Sequence, residues 1–265
     1  MRILFIGDVF GRPGRRAVSA LLPGIVESRG IDLVVANGEN AAGGIGITEK
    51  TGRELLDSGI DVLTGGNHTW QKSEASSFLS ECGRALRPAN YPPGAPGRGS
   101  VVVDARNGER AAVVSLQGRV FMQPIDCPFR VGSDLVDGAR RETPVVLVDF
   151  HAEATAEKVA LGWYLAGKAT AVLGTHTHVQ TCDERILEGH TAYITDAGMT
   201  GPVDSVIGVR RDSSIARFVT QLPQRFEPAG GPTALCGVVI EADASSGAAT
   251  SIERIVVPGG DAGGV

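Results

Sequence analysis

The sequence has few cysteines, no long apolar run and no recognisable signal peptide. Its four cysteines, Cys82, Cys127, Cys182 and Cys236, lie far apart and form no C-x-x-C pair. No apolar stretch approaches the roughly 20 residues that span a bilayer, and the chain opens on MRILFIGD, which is typical of a strand. We therefore expect a reduced, cytoplasmic protein with no membrane association.

An excess of positive charge is also absent. Lys and Arg number 25 against 30 Asp and Glu, which gives a formal net charge of -5. No broad basic face is then available to bind nucleic acid through counterion release. We expect no stable nucleic-acid binding, whereas a local site remains able to bind a small anion.

The composition is typical of a globular protein with many loops. The 265 residues are 42% hydrophobic, which is enough to bury a sizeable core. The 36 glycines and 14 prolines punctuate apolar runs instead of forming low-complexity tracts. We expect a single domain over residues 1–265, with a frayed tail at 258–265.

Short apolar runs alternate with helix-like segments in the first third of the chain. The runs 2–6, 33–36 and 62–63 each end in a turn rich in Gly, Asn or Asp, and helix-like segments follow at 14–28, 48–58 and 73–81. A strand at 145–150, a helix at 155–166 and a strand at 171–173 continue this order. The alternation predicts an α/β protein with a parallel sheet.

Antiparallel strands are predicted in addition. SVVVDARNGERAAVVSL predicts a hairpin around Asn107-Gly108. Two further hairpins are expected, in RILEGHTAYIT and in ALCGVVIEADASSGAATSIERIVV, with a helix at 213–222 between them. The sheets are therefore expected to be mixed.

Most of the histidines follow predicted strands. Four of the five do so, and His190 is the exception. The carboxyl ends of parallel strands are where open α/β sheets place their ligand sites. The polar residues at five such ends are Asp8, then Asn37, Glu39 and Asn40, then Asn67 and His68, then His151, and finally His176 and His178.

Each of these residues has an ordinary structural interpretation when taken singly. Asp8 is typical of a turn or cap, Asn40 and Asn67 of left-handed turns, and His151 of a hydrogen-bonded core histidine. In an extended segment, however, residues two apart point to the same face, so THTH can direct both imidazoles to one place. The combination favours a metal site.

The ligand types indicate which metals are suitable. Imidazole, carboxylate and amide oxygen without thiolate favour iron, manganese, zinc or cobalt in an open catalytic centre. Asp8 and Glu39 would supply two negative charges against four positive charges from two divalent ions. The surplus would attract a phosphate and acidify a bridging water.

The ordered motifs resemble those of the calcineurin-like metallophosphoesterase superfamily, whose pattern runs D-x-H, G-D-x-x-D, G-N-H, H, G-H-x-H. Two positions depart from it: Phe10 stands at the D-x-H histidine, and the second motif reads Gly38-Glu39-Asn40. The segments GDVFGRPGR, NGENAAGGIGIT, TGGNHTW, THTHVQT and YITDAGMTGP resemble the bacterial YmdB-type branch over nearly the whole chain.

The resemblance implies a four-layer α/β/β/α sandwich of two mixed sheets and a dinuclear centre, with iron as the first choice of metal. One ion would be held by Asp8, Glu39, Asn40 and His178. The second would be held by Glu39, Asn67, His151 and His176. Glu39 would then bridge the ions, and Asn40 would replace the missing D-x-H histidine.

The resemblance also implies the reaction, which is hydrolysis of a 2′,3′-cyclic nucleotide to a 3′-phosphate. A bridging hydroxide would attack in line, and His68 would act as the general acid. Two alternatives remain: a phosphomonoesterase with the same centre, or a non-catalytic regulator that binds a cyclic nucleotide or an RNA end. A dimer or tetramer is compatible with the family.

Two further features have no assigned role in the sequence. Arg12, Arg15 and Arg16 crowd the first loop and the start of the first helix, where they are typical of solvated surface but could contact a phosphate. Asp196 lies on a turn that the resemblance places near the active site, and a purely structural turn is an equal interpretation.

Overall fold

The structure, a computed structural model, describes residues 1–261, which contain six helices and thirteen strands. The helices are α1 Gly11–Arg29, α2 Glu49–Asp57, α3 Ala75–Glu81, α4 Pro128–Ala139, α5 Thr155–Tyr164 and α6 Arg211–Thr220. The strands are β1 Arg2–Ile6, β2 Asp8–Val9, β3 Leu33–Asn37, β4 Val62–Thr64, β5 Ser100–Asp104, β6 Arg110–Gln117, β7 Val145–His151, β8 Ala171–Thr175, β9 Arg185–Leu187, β10 Thr191–Ile194, β11 Met199–Pro202, β12 Pro232–Ala242 and β13 Ala249–Asp261.

The strands form two mixed sheets. The first has the order β2-β11-β12-β1-β3-β4, with β13 paired to β12. Its strands β1, β3 and β4 are parallel, and β12 is antiparallel to β1. The second has the order β5-β6-β7-β8-β10-β9, in which the four central strands are parallel and the two outer strands are antiparallel. The second sheet thus has a parallel centre, whereas the parallel strands β1, β3 and β4 of the first sheet lie at one end, beside the antiparallel strand β12.

Three separate apolar clusters define four layers. In β1, Leu4 and Ile6 pack with α1, α2 and α3, whereas Phe5 points to the other face of the sheet and packs with residues of β7 and β8. In β7, Val146 packs on the outer side with α4 and α5. Because successive strand residues face opposite sides, each central strand contributes to two clusters. The result is the expected α/β/β/α sandwich, which is the calcineurin-like metallophosphoesterase fold.

The predicted order of elements agrees with the structure in most segments. The five predicted helices correspond to α1, α2, α3, α5 and α6, and the three hairpins correspond to β5-β6, β9-β10 and β12-β13. The helix α4 was not predicted. Its two glycines lower the helical propensity, yet a side chain at Gly132 would overlap Leu116, so packing on β6 outweighs propensity there.

The prediction of a frayed tail is wrong for residues 258–261. Pro258 pairs with Ala234, and Asp261 pairs with Pro232 at the far end of the hairpin. The backbone ladder with β12 therefore holds this stretch despite its glycines. Residues 262–265 of the predicted tail lie outside the described residues.

The described residues 1–261 contain no disulfide bond. All four cysteines are free thiols, and Cys182 is the exposed one. No helix in this part of the chain has both the length and the apolar character that crossing a bilayer requires.

Replacement of Gly174 by alanine is expected to destabilise the protein. A Cβ at this position would overlap the Thr195 carbonyl oxygen, which is backbone and cannot turn away. Overpacking of this kind typically costs about 1–3 kcal/mol. Gly138→Ala in α4 is the matched control, because its Cβ would meet nothing within 4 Å and alanine is favoured in a helix. Urea unfolding should show a loss for the first variant and no loss for the second.

Candidate metal centre

The two sheets present the carboxyl ends of their parallel strands to the same edge. Asp8 lies just after β1, Glu39 and Asn40 follow β3, and Asn67 and His68 follow β4. From the second sheet, His151 ends β7, and His176 and His178 follow β8. Burial is deep: Asp8 and His151 are fully enclosed, and Glu39 and Asn40 are 1% exposed. All of the sequence-predicted site residues therefore lie in one region.

A first group of contacts is centred on His151. Its Nε2 lies 3.1 Å from Glu39 Oε1, 2.9 Å from Asn67 Oδ1 and 3.0 Å from His176 Nδ1. The ligand atoms of Glu39, His151 and His176 all lie within 4.8 Å of one another. Four side chains at the ends of four strands thus direct nitrogen or oxygen atoms at one small volume.

A second group of contacts lies on the other side of Glu39. Asn40 Nδ2 is 3.2 Å from Glu39 Oε1, 3.4 Å from Asp8 Oδ1 and 3.2 Å from His178 Nε2. His178 Nε2 is itself 3.7 Å from Asp8 Oδ1. Glu39 Oε1 therefore belongs to both groups. For Asn40 to offer a cation its oxygen, the carboxamide must rotate by half a turn and exchange Oδ1 with Nδ2.

Asp8 and Glu39, the two carboxylates of this donor set, have no lysine or arginine partner within residues 1–261. Asp8 pairs with His151 and His178, and Glu39 pairs with His68 and His151. Burying two negative charges costs several kcal/mol per ion unless positive charge compensates them. Nitrogen and oxygen donors without sulfur match first-row divalent ions. The donor set and its charge therefore fit bound metal cations.

The protonation of the two central histidines is coupled. Burial by itself would lower the pKa of His151, but the Glu39 carboxylate and, beyond it, Asp8 raise it to about 9. Burial lowers the pKa of His176 to about 4, and the positive charge of the neighbouring His151 contributes in the same direction. Without a metal, His151 therefore holds the extra proton near pH 7 and His176 stays neutral.

The turn that carries His176 and His178 is strained. Their φ angles are 107° and 66°, a region that is unfavourable for residues other than glycine. The expectation that an extended segment aligns these two side chains is therefore wrong. β8 ends at Thr175, and the tight turn after it directs both imidazoles to the centre.

A buried ion pair holds this turn in place. Asp196 Oδ2 accepts hydrogen bonds from the Thr177 backbone N–H at 3.0 Å and from Thr177 Oγ1 at 2.7 Å, and it pairs with Lys158 Nζ at 2.8 Å. Lys158 is 1% exposed and Asp196 is fully buried. Thr177 separates the two histidines, so Asp196 supports the turn from beneath. The contacts of Asp196 thus give it a structural role, which is to hold the turn between the two histidines.

Asp149, a further buried carboxylate, orients His151 and was not among the site residues predicted from the sequence. Thr175 Oγ1 donates to Asp149 Oδ1 at 2.7 Å, so its oxygen is left to accept from His151 Nδ1 at 2.9 Å. Thr64 also donates to Asp149. With its proton held at Nδ1, His151 presents Nε2 to the centre. The signal in the sequence was a carboxylate within the apolar run VVLVDFH.

His68 lies at the open side of the centre. Its backbone N–H donates to Glu39 Oε2 at 2.9 Å, and its Nδ1 lies 2.8 Å from Asn40 Oδ1. The side chain is 30% exposed. Its Nε2 makes no hydrogen bond within residues 1–261, so this atom is available to a substrate.

Comparison with known proteins places the chain in a family. The model of the family described as YmdB-like protein matches residues 4–255. The chain belongs to the YmdB-like family. A relative from Bacillus subtilis, named 2′,3′-cyclic-nucleotide 2′-phosphodiesterase, is 52% identical over 257 residues and is matched over 97% of each chain.

Two solved structures resemble this YmdB-like chain closely. A hypothetical protein from Thermus thermophilus has a TM-score of 0.91 at 44% identity, with 97% of this chain and 99% of that chain covered. A protein from Mycoplasma pneumoniae, described as a novel phosphatase, has a TM-score of 0.91 at 32% identity, with 98% and 94% covered. Both comparisons agree with the fold described above.

The three arginines near the start of α1 line a cavity of the YmdB-like chain whose wall contains none of the predicted metal ligands. Its volume is about 650 Å³, and Arg12, Arg15 and Arg16 contribute to its wall. Arg15 is held by Glu54 Oε2 at 2.8 Å and by the Ala41 carbonyl oxygen. A second cavity, of about 370 Å³, lies beside the candidate metal centre. It is lined by Asn67, Phe121, Met122, Gln123 and His176.

Removing the buried lysine should destabilise the YmdB-like fold strongly. Lys158→Ala leaves Asp196 buried without its counter-ion, and breaking such a pair typically costs about 3–5 kcal/mol. Lys168→Ala is the control, because the pair of Lys168 with Asp137 is about half exposed and such pairs contribute about 0–1 kcal/mol. Urea unfolding compares the two. Equal losses would contradict a special role for the buried pair.

Metal binding to the metal-free protein should tighten as the pH rises. His151 has a raised pKa of about 9, so below that pH a cation must displace its Nε2 proton. Each displaced proton makes the apparent affinity rise about tenfold per pH unit from about pH 7 toward pH 9. Calorimetric titration with Mn²⁺ in buffers of different ionisation enthalpy measures both the affinity and the released proton. A pH-independent affinity would contradict this protonation state.

Proposed function

We propose that this protein is a metal-dependent phosphodiesterase that opens 2′,3′-cyclic nucleotides at the 2′ ester bond and yields nucleoside 3′-phosphates. The observation that carries the proposal is the convergence of Asp8, Glu39, Asn40, Asn67, His151, His176 and His178 on one buried centre. The name of the Bacillus subtilis relative supports the choice of substrate.

The two groups of contacts supply residues for two cations. Asp8, Glu39, Asn40 and His178 would hold one, and Glu39, Asn67, His151 and His176 would hold the other. Glu39 Oε1 belongs to both groups. When bound, such cations, with iron as our first choice, would polarise phosphoryl oxygens and lower the pKa of a water that serves as nucleophile.

The chain itself contributes a proton to the leaving group. Hydrolysis adds the oxygen of water to phosphorus and breaks the bond from phosphorus to the ribose 2′-oxygen, which then needs a proton. His68 is anchored through its backbone and Nδ1, and its Nε2 makes no hydrogen bond within residues 1–261. We assign His68 as the general acid, a role typically worth 10²- to 10⁴-fold in rate.

Asp149 and Asp196 would act through other residues. Asp149 orients His151 through Thr175, and Asp196 holds the turn with His176 and His178 through Thr177. Neither carboxylate is part of the donor set. Their function is to fix imidazoles that would otherwise rotate or relax out of strained geometry.

A phosphomonoesterase is the second candidate, because the Mycoplasma pneumoniae structure is described as a phosphatase. The same donor set can serve either ester, so the substrate must be tested directly. Turnover of 2′,3′-cyclic AMP is compared with that of p-nitrophenyl phosphate, before and after chelation. A strong preference for the monoester would overturn the proposed substrate, and turnover unaffected by metal removal would overturn the mechanism.

Replacement of His68 should separate catalysis from metal binding. His68→Ala is expected to lower kcat for 2′,3′-cyclic AMP by about 10²- to 10⁴-fold, with the metal content of the purified protein unchanged. His176→Ala should instead lower the metal content, as measured by elemental analysis. His190→Ala is the matched control, because His190 lies in the turn between β9 and β10. Full turnover by His68→Ala at normal metal content would exclude the general-acid role.

A further inference from the structure

The loop of residues 118–127, between β6 and α4, forms one side of the cavity beside the candidate metal centre. This cavity of about 370 Å³ is lined by Asn67 and His176 from the proposed ligand set and by Phe121, Met122 and Gln123 from the loop. Its volume lies within the range of about 300–1,000 Å³ that is typical of ligand pockets. A substrate that has its phosphate at the centre and the rest of its structure in this cavity would lie against this loop.

Phe121 is presented to solvent in an unusual way. Its side chain is 90% exposed, more than any other large hydrophobic residue that is exposed in residues 1–261. Its φ is 61°, which is unfavourable for an aromatic residue. Neither property stabilises the fold, since the ring buries almost nothing and its backbone is strained. Such strain clusters at ligand sites.

The base of the loop is held in place. Glu157, which is 9% exposed, accepts hydrogen bonds from the backbone N–H of Arg119 at 3.0 Å and of Val120 at 3.2 Å. On the other side of Phe121, Gln123 Oε1 accepts from Gln117 Nε2 at 2.8 Å. The aromatic ring is therefore carried by an anchored segment, which reduces the entropy lost when a ligand packs on it.

We propose that Phe121, together with Met122, forms a nucleobase-binding subsite for the substrate. This inference rests on the proposed function, because it takes the cyclic phosphate to lie at the metal centre. A nucleoside cyclic phosphate carries a flat aromatic base in addition to its charged cyclic phosphate, and an exposed aromatic ring beside the centre matches the face of that base. Stacking reads the face of a base and not its edge, so the subsite accepts several bases.

The test compares two cyclic phosphodiesters, 2′,3′-cyclic AMP and glycerol 1,2-cyclic phosphate, which lacks a base. Phe121→Ala should lower kcat/KM for the nucleotide by about 5- to 150-fold, mainly through KM. This range corresponds to about 1–3 kcal/mol at about 1.4 kcal/mol per factor of ten. The same variant should leave kcat/KM for glycerol cyclic phosphate unchanged. Phe121→Trp should retain turnover of the nucleotide.

Phe218→Ala is the control, because Phe218 is 73% exposed on α6 and lies outside the cavity. This variant should leave kcat/KM unchanged for both substrates. An equal loss for both substrates in Phe121→Ala, or no loss for either, would overturn the subsite. If the wild type hydrolyses neither cyclic phosphate, the proposed function fails instead. In that case, calorimetry measures the binding of 3′-AMP to the wild type and to Phe121→Ala. Weaker binding by the variant would support the nucleobase subsite, and equal binding would exclude it.

Discussion

Asp8 and Glu39 are two buried carboxylates whose ion-pair partners within residues 1–261 are all imidazoles. The electrostatic cost of that arrangement governs the rest of the site. Without a cation, the negative charge is balanced by holding a proton on His151, whose pKa rises accordingly. A site of this kind is a poor way to stabilise a fold and a good way to attract divalent metals. Its chemistry explains why so many polar groups are tolerated at a sheet edge.

The surrounding structure keeps these donors in unfavourable geometry. The turn with His176 and His178 has two residues at positive φ, and the Lys158–Asp196 pair beneath it holds Thr177. His151 is oriented by Thr175 and Asp149. These supports are buried and rigid, so the strain is borne by the packed sheets and not by flexible loops. Positioning is therefore provided by residues that never face a substrate.

In the function proposed above, different parts of the fold would serve metal binding and substrate recognition. Strand ends of both sheets carry the proposed ligands, whose positions follow from the ladder of parallel strands. The loop with Phe121 lies outside the ladder and is anchored by Glu157. A change in such a loop can alter the substrate without disturbing the centre. Under the proposed function, the same donor set would therefore be compatible with either a diester or a monoester substrate.

Local patterns in the sequence were sufficient to predict the mixed α/β architecture and the residues that converge on the candidate metal centre. Apolar runs, turn residues and the Asn107-Gly108 hairpin are short-range signals, and histidines placed after strands report the sheet edge directly. The helix α4 and the paired residues 258–261 escaped prediction, because packing of Gly132 on β6 and the long β12-β13 ladder are not visible locally. The strained turn, the contacts of Asp149 and Asp196, and the exposed ring of Phe121 were likewise decided only by the tertiary structure. Burial and partner distance depend on contacts between residues far apart in the chain, and local sequence does not determine such contacts.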